Sequence, residues 1–191
     1  MKIPVVSLLG FILLGCSNAF AQLNSEERPD WQTIFDNYAA QGTIVVLDER
    51  KDNAKLMVFN EPRSKQRLPP ASTFKVPHAL FALDAGVVKD EFQVFPWDGV
   101  ERSFAIHNQD QDLRSSMRNS AVWVYELFGQ QIGEERARQY LNKIDYGNAD
   151  PSGDTSTYWI DGNLRITAQE QVQFLKKLYL NELPFDEADQ R

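Results

Sequence analysis

The sequence predicts a mixed α/β (α+β) domain, in which an antiparallel sheet is flanked by helices and by a helical subdomain. Two β-rich segments, 43–47 and 55–59, are separated by the polar stretch 48–54, a pattern typical of a hairpin. Apolar residues at helical spacing dominate the rest of the chain. Its 191 residues fit one domain.

The composition is that of an acidic globular protein. The formal net charge is −7 at pH 7, and 42% of the residues are hydrophobic. A protein that binds a nucleic-acid duplex needs a basic face, so the charge argues against nucleic acid as a partner. The hydrophobic fraction is large enough to form a substantial core.

The amino-terminal residues are typical of a secretion signal. A positively charged start precedes the apolar run 3–14, which is too short to span a bilayer. Small residues stand where signal peptidase needs them, with cleavage after Ala21. We therefore expect a signal peptide at 1–21 and a mature domain at 22–191. The alternative is a lipoprotein signal, in which Cys16 would be lipidated.

Cys16 is also the only cysteine in the chain. Cleavage at the predicted site would remove it, which excludes a disulfide and a thiolate nucleophile from the mature protein. The two histidines, His78 and His107, cannot form a metal site unaided. His78 lies in an apolar helical run, which favours a packed position over metal ligation.

Two helices are expected on either side of the hairpin. Asp30 is expected to cap a short amphipathic helix. The apolar stripe of this helix comprises Trp31, Ile34, Phe35 and Tyr38. A second helix is expected over 72–85, directly after Pro70, and Pro77 should bend it slightly. The stretch 90–110 has an irregular pattern, and we expect its aromatic side chains to anchor it: Phe92, Phe95, Trp97 and Phe104.

Further helices are expected towards the carboxyl end, at about 112–119, 120–131 and 134–144. Thr167 and Glu170 match a capping box, in which each side chain bonds the backbone N–H of the other residue. A last helix is therefore expected to begin at Thr167. Its apolar positions at helical spacing are Val172, Leu175, Leu178 and Tyr179.

Ser72 and Lys75 form a Ser-x-x-Lys pair, one turn apart on a predicted helix. Positions i and i+3 share a helix face, so the hydroxyl and the amine can approach each other. A serine hydroxyl needs a base to act as a nucleophile, and a lysine can be that base when burial lowers its pKa. Free N–H groups at the start of the helix also stabilise a developing oxyanion. The pair indicates acyl transfer, although about one such match per chain of this length arises by chance.

Three later features have ordinary structural explanations when taken singly. Ser120, two residues before Val122, is either a helix cap or a second hydroxyl that relays a proton. The Tyr-Gly-Asn triplet at 146–148 is a turn in which glycine supplies a positive φ. Trp159 follows a polar loop and is more often a core residue, with an indole N–H that needs a partner when buried.

Together and in this order, the motifs resemble the class D, oxacillin-hydrolysing serine β-lactamases, which share a fold with the penicillin-binding transpeptidases. The matching motifs are S-T-F-K at 72–75, S-A-V at 120–122, Y-G-N at 146–148 and W-x-x-G at 159–162. The resemblance runs from about residue 31 to the end of the chain. It implies a periplasmic enzyme that hydrolyses the β-lactam ring of penicillin-type antibiotics and so confers antibiotic resistance.

The resemblance also implies a role for each matching residue. Ser72 would attack the lactam carbonyl, and Lys75 would be carboxylated by carbon dioxide to a carbamate that acts as the general base. Ser120 would relay the proton to the lactam nitrogen. The remaining residues would line the pocket: Trp159 as the donor that holds the carbamate, Val122 as the apolar wall, and Tyr146 and Gly147 as the floor. No metal or organic cofactor is implied.

One family motif, Lys-[Ser/Thr]-Gly on a late strand, is absent from this sequence. The nearest lysine pair, Lys176 and Lys177, does not match it. We therefore expect a sequence truncated at its carboxyl end, without the strands and the helix that complete the sheet and supply a second oxyanion donor. Loss of one such donor costs about a hundredfold to a thousandfold in turnover. The chain as written is expected to fold poorly and to have little activity.

Three other functions stay open at this point. A penicillin-binding peptidase shares the Ser-x-x-Lys machinery, but the motifs at 146–148 and Trp159 favour a β-lactamase. A sensor module that is acylated without hydrolysis normally hangs from transmembrane segments, whereas the apolar run here is a leader. The third is a non-catalytic lipoprotein anchored at Cys16. The sequence predicts no stable membrane span, and it leaves the substrate spectrum and homodimer formation open.

Overall fold

The computed structural model describes residues 25–50 and 54–191. The predicted signal peptide and the alternative processing site at Cys16 lie outside these residues, as do residues 51–53 of the hairpin loop. Within the described ranges, no helix is both long enough and apolar enough to cross a membrane.

The predicted hairpin is present and belongs to a three-stranded sheet. The strands are β1 (Ser25–Glu27), β2 (Ile44–Asp48) and β3 (Lys55–Phe59), in the order β1-β3-β2. β2 and β3 are antiparallel, with Ile44 opposite Phe59, which confirms the predicted pair. β1 pairs parallel with β3. It was not predicted, because its three exposed residues carry no apolar alternation.

The helices account for most of the remaining regular structure. They are α1 (Gln32–Asp36), α2 (Glu61–Ser64), α3 (Lys75–Asp84), α4 (Leu113–Asn119), α5 (Val122–Lys143) and α6 (Ala168–Tyr179). Short 3-10 turns cover Pro29–Trp31, Ala71–Phe74 and Ala105–His107. α6 packs against β2, and α3 packs against α4 and α5. The sheet thus has helices beside it, with a helical layer built around α3.

The first helix is shorter than predicted, and its predicted apolar stripe is only partly right. Phe35 packs on the sheet, where its ring stacks on Phe59 at 5.0 Å, but Tyr38 is 81% exposed. A helix of five residues completes less than two turns, so it cannot present a stripe that repeats over eight positions. Asp30 does not cap it, because its carboxylate pairs with Arg28.

The residues predicted as one helix over 72–85 form two elements, a 3-10 turn followed by α3. Pro77 gives the physical reason. An α-helix that began at Ser72 would need a hydrogen bond from the N–H of residue 77 to the carbonyl of Thr73. Proline has no N–H and cannot make this bond. Pro77 therefore lies in the first turn of α3, where it marks a change of helix type. Ser72 consequently lies on the 3-10 turn, just before the α-helix.

The later helices agree well with the sequence. α5 runs through the two predicted segments 120–131 and 134–144, and Gly133, with φ 74° and ψ 164°, interrupts it between them. Ser120 is not the first residue of this helix. It is the left-handed residue that ends α4, and Ala121 caps α5.

The capping box at the start of α6 is confirmed. Thr167 N donates to Glu170 Oε2 at 2.8 Å, and Glu170 N donates to Thr167 Oγ1 at 3.0 Å. The buried face of the helix differs from the predicted one, since Tyr179 is 85% exposed. The face instead centres on Phe174, whose ring meets Tyr146 edge-on at 5.4 Å.

Aromatic side chains form the centre of the core, directly beneath the turn that carries Ser72. The ring of Phe74 is fully buried, and its neighbours at 5.2–6.0 Å are His78, Phe81, Tyr146, Tyr158 and Trp159. His78 is packed in this core, as predicted. In the stretch 90–110, Phe95 is buried, but Phe92 and Phe104 are exposed, so their predicted anchoring role is wrong.

Candidate active site

Ser72 and Lys75 meet as the i, i+3 spacing predicts. Lys75 Nζ donates a hydrogen bond to Ser72 Oγ at 3.0 Å. Lys75 is only 2% exposed, and this burial lowers the pKa of its amine. Ser72 itself is exposed to solvent. The pair therefore joins an accessible hydroxyl to a buried amine with an increased neutral fraction.

Ser120 completes a cluster of three polar side chains. Its hydroxyl donates to Ser72 Oγ at 3.3 Å across 48 residues of sequence. The backbone of Ser120 is left-handed, with φ 54°, a conformation that is uncommon outside glycine and occurs at functional sites. The carbonyl of the preceding residue, Asn119, is 2.8 Å from His107 Nε2. The turn between α4 and α5 thus holds the Ser120 hydroxyl against Ser72.

Trp159 lies against the inner side of the Ser72 turn. Its carbonyl accepts a hydrogen bond from Ala71 N at 3.0 Å, and its ring meets His78 at 4.8 Å. The indole Nε1–H is buried and has no hydrogen-bond partner among the described residues. A buried donor of this kind is suited to an acceptor oxygen, because leaving it unpaired costs about 1–3 kcal/mol. Val122, the predicted apolar wall residue, is the first residue of α5, two positions after Ser120.

Tyr146 packs against the Ser72 turn, and Gly147 packs against the backbone of Arg165. Tyr146 is 1% exposed, its ring meets Phe74 at 5.5 Å, and burial raises the pKa of its hydroxyl. This hydroxyl donates to Gln171 Oε1 at 2.8 Å. Gly147 has a φ of 58°, and a Cβ there would lie 2.0 Å from the carbonyl oxygen of Arg165. Only glycine permits this close approach of two backbones.

Two residues next to the predicted site were not found from the sequence. The ring of Tyr125 lies 5.5 Å from Lys75 Nζ, within reach of a cation–π interaction. Gln171 Oε1 lies 3.4 Å from Thr73 Oγ1, across 98 residues of chain. Tyr125 lies on the helix predicted to begin at Ser120, and this proximity to Ser120 could have suggested Tyr125 as a site residue. No local pattern indicates the contact of Gln171.

One cavity of the described residues lies apart from this cluster. It has a volume of about 750 Å³ and lies between α3, α4 and the residues 188–191, with Leu80 and Met117 in its walls. None of the predicted site residues lines it. The described residues also contain no group of three or more His, Cys, Asp or Glu side chains that could hold a metal ion.

Comparison with known proteins places the chain in a family. The penicillin-binding protein transpeptidase domain matches residues 42–183. Beta-lactamase OXA-3 of Pseudomonas aeruginosa and Beta-lactamase OXA-2 of Salmonella typhimurium are each 59% identical over all 191 residues, which span 70% of the length of each relative. The solved structure of class D beta-lactamase BAT-2 is 36% identical with a TM-score of 0.78; the match covers 91% of this chain and 69% of BAT-2.

The fold and the family match define an enzyme of the penicillin-binding transpeptidase class, and Ser72, Lys75 and Ser120 form its candidate site. Within that class, the chain belongs to the class D β-lactamases. The resemblance predicted from the four sequence motifs is therefore confirmed.

Proposed function

We propose that the reaction of this chain, at the low rate expected from its sequence, is the hydrolysis of β-lactam antibiotics through an acyl-enzyme on Ser72, the reaction by which β-lactamases confer resistance. Its close relatives are named β-lactamases. The observation that carries the proposal is the position of Ser72 Oγ, 3.0 Å from Lys75 Nζ and 3.3 Å from Ser120 Oγ. Distances of this size allow proton transfer to and from the nucleophile.

Acylation forms one bond and breaks another. Ser72 Oγ gives its proton to the side chain of Lys75 and forms a bond to the lactam carbonyl carbon. The carbon–nitrogen bond of the ring then breaks. Ser120 gives its hydroxyl proton to the departing nitrogen and takes up the proton held by the side chain of Lys75, which is thereby free to act as a base again. Ser72 lies at the amino end of the 3-10 turn and α3, where backbone N–H groups and the helix dipole favour the oxyanion.

Deacylation reverses these roles with water. A water molecule loses a proton to the side chain of Lys75 and attacks the ester carbon, and Ser72 Oγ leaves and recovers its proton. The hydrolysed antibiotic carries the added oxygen as a new carboxylate. This sequence of steps uses no metal ion, as is the rule for serine β-lactamases.

The surroundings of Lys75 fit a carbamate on Nζ, formed by carbon dioxide. Carboxylation requires the neutral amine, which burial favours by lowering the pKa. The unpaired indole N–H of Trp159 supplies a buried donor of the type that a carbamate oxygen accepts. A carbamate at this position would supply a general base.

We also propose that residues 1–21 are a signal peptide that directs the mature domain, 22–191, to the periplasm. The apolar run 3–14 and the small residues before the cleavage site support this proposal. Amino-terminal sequencing of the exported protein tests it, because lipidation at Cys16 would give a different first residue. Sedimentation of the same sample distinguishes a monomer from a homodimer.

Turnover of a chromogenic cephalosporin tests the proposed hydrolysis. We expect Ser72→Ala to lower kcat/KM by about a thousandfold or more, because it removes the nucleophile. Ser103→Ala, at an exposed serine, is the control and should keep the wild-type rate. Equal rates for the two variants would contradict the proposal. A stable acyl adduct without turnover would instead indicate a sensor-like function.

Carbon-13 NMR in labelled bicarbonate tests the carbamate without reference to turnover. We expect one carbamate resonance in the wild type that disappears in Lys75→Met and weakens in Trp159→Phe, which keeps a large ring but loses the N–H donor. Lys55→Met, at an exposed lysine, is the control. Persistence of the resonance in Lys75→Met would place the carbamate elsewhere.

A further inference from the structure

Two side chains in the first turn of α6 reach back to the segment that leads to Ser72. Gln169 Nε2 donates to Ser64 Oγ at 2.9 Å. Glu170 forms an ion pair with Arg67 at 2.6 Å. These contacts join parts of the chain about a hundred residues apart. The amino end of α6 therefore holds the segment that carries the nucleophile.

Gln171 continues this series and makes the contact closest to Ser72. Its Oε1 accepts from the Tyr146 hydroxyl at 2.8 Å and lies 3.4 Å from Thr73 Oγ1. Thr73 Oγ1 also donates to the carbonyl of Pro70 at 2.7 Å, which fixes the hydroxyl within the 3-10 turn. One amide oxygen thus faces both the residue after Ser72 and a buried tyrosine.

Tyr146 transmits a second constraint from Gln171 to the turn. The Tyr146 ring meets Phe74 edge-on at 5.5 Å, and both side chains are almost fully buried. Holding the Tyr146 hydroxyl therefore fixes the surface on which Phe74 packs. Gln171 therefore holds Phe74 through Tyr146, whereas Thr73, whose hydroxyl proton goes to the carbonyl of Pro70, lies beside the same amide oxygen.

Gln171 is not needed to start its own helix. The first turn of α6 is already capped by Thr167 and Glu170, which satisfy each other's backbone N–H groups. Gln173, two residues further on, makes no comparable contact with the Ser72 turn. The side chain of Gln171 contacts Tyr146 and Thr73, and these contacts do not contribute to the cap of α6.

We propose that Gln171 is a positioning residue for the acylation step, which it serves by fixing the Ser72 turn through Tyr146 and the ring of Phe74. This inference rests on the proposed function. A nucleophile must be held close to its attack geometry, and small displacements cost large factors in rate. Loss of the amide oxygen should therefore slow acylation and leave the affinity for the antibiotic unchanged.

Four variants of the full chain separate positioning from simple stabilisation. Gln171→Met removes the acceptor, Gln171→Glu keeps acceptor oxygens at the same position, and Gln173→Met is the matched control. Gln171→Met combined with Tyr146→Phe also removes the tyrosine hydroxyl, so no buried donor is left unpaired. The measurements are the acylation rate by stopped-flow, the dissociation constant of the antibiotic, the melting temperature, and amide hydrogen exchange over 68–76.

We expect Gln171→Met to slow acylation about tenfold, with an unchanged dissociation constant. It should also speed hydrogen exchange over 68–76 relative to Gln173→Met. Gln171→Glu should recover the rate, whereas the double variant should recover the melting temperature but stay slow. Recovery of the rate in the double variant would mean that Gln171 acts through stability alone, which would overturn the proposal.

Different results would contradict the proposed function and the positioning role of Gln171. Absence of any acylation in the wild type would contradict the proposed function. Equal hydrogen exchange over 68–76 in Gln171→Met and Gln173→Met would contradict the positioning role, whether or not the wild type is acylated.

Discussion

The buried amine of Lys75 has surroundings that act on its charge in opposite directions. Burial at 2% exposure disfavours the ammonium form, whereas the Tyr125 ring at 5.5 Å favours it. Desolvation lowers the pKa of the amine. The amine is thereby closer to the neutral state that carboxylation requires. The spacing of Ser72 and Lys75 revealed the pair in the sequence, but not the ring beneath the amine.

The neutral imidazole of His78 should make the stability of the fold sensitive to acid. Burial, with the nearby Lys75 charge adding to it, lowers the pKa of His78 from 6.5 to about 3. The unfolded chain binds this proton below pH 6.5 and the folded chain does not. The stabilisation is therefore complete above pH 6.5 and is lost as the pH falls towards 3, by about 1.4 kcal/mol per pH unit.

Melting curves between pH 7 and pH 4 test this prediction. The wild type should lose more stability over this interval than His78→Leu, which has no proton to bind. His107→Gln, which changes the other histidine, should follow the wild type. Parallel loss of stability in the wild type and His78→Leu would show that other groups dominate the acid sensitivity.

At the scale of elements, the Tyr146–Gly147 turn fixes one face of the site. Gly147 lies so close to Arg165 that a Cβ would come within 2.0 Å of its carbonyl oxygen. Asn148 N donates to the same oxygen at 2.9 Å, and Asn148 Oδ1 accepts from Arg165 N at 2.8 Å. The turn is thus bonded directly to the chain that leads into α6. A displacement here would shift Tyr146 and the Ser72 turn above it.

Gly147→Ala should therefore destabilise the fold by at least about 2 kcal/mol more than Gly86→Ala. Both glycines have a positive φ, so the backbone penalty of alanine is similar. Only Gly147 is crowded, since a Cβ at Gly86 would meet nothing within 4 Å. Urea unfolding of the two variants measures the difference. Equal free energies of unfolding would show that the Gly147 turn can relax away from Arg165.

Sequence patterns predicted correctly the features of the fold that are set by residues close together in the sequence. The hairpin, the capping box at Thr167 and the separation of the helical segments 120–131 and 134–144 depend on neighbouring residues, and all three were predicted. The predicted stripe of α1 and the predicted face of α6 were each only partly right: Phe35 and Leu178 pack as expected, but Tyr38 and Tyr179 are exposed, because tertiary packing decides which face of a helix is covered. Ser120 and Ser72 lie 48 positions apart in the sequence, so their spacing does not predict that they meet. The resemblance to the family motifs predicted that both belong to the site.

At the scale of the whole molecule, two distant stretches of chain hold the nucleophile between them. The stretch before Ser72 is bonded to 159–171 through its backbone, by the Leu68–Ile166 bridge and by Ala71 N to the Trp159 carbonyl. Side chains at the start of α6 add to this connection. The site is therefore a product of the global fold, and its geometry should be lost when the two stretches separate.

The most direct test of an acyl-enzyme on Ser72 is the mass of the protein after brief mixing with benzylpenicillin and acid quenching. A serine acyl-enzyme retains every atom of the antibiotic, because opening the ring expels no fragment. We predict a mass gain of one whole penicillin, located on the peptide that contains Ser72, absent in Ser72→Ala, and lost on further incubation as the ester is hydrolysed. An unchanged mass in the wild type, or an equal gain in Ser72→Ala, would contradict an acyl-enzyme on Ser72.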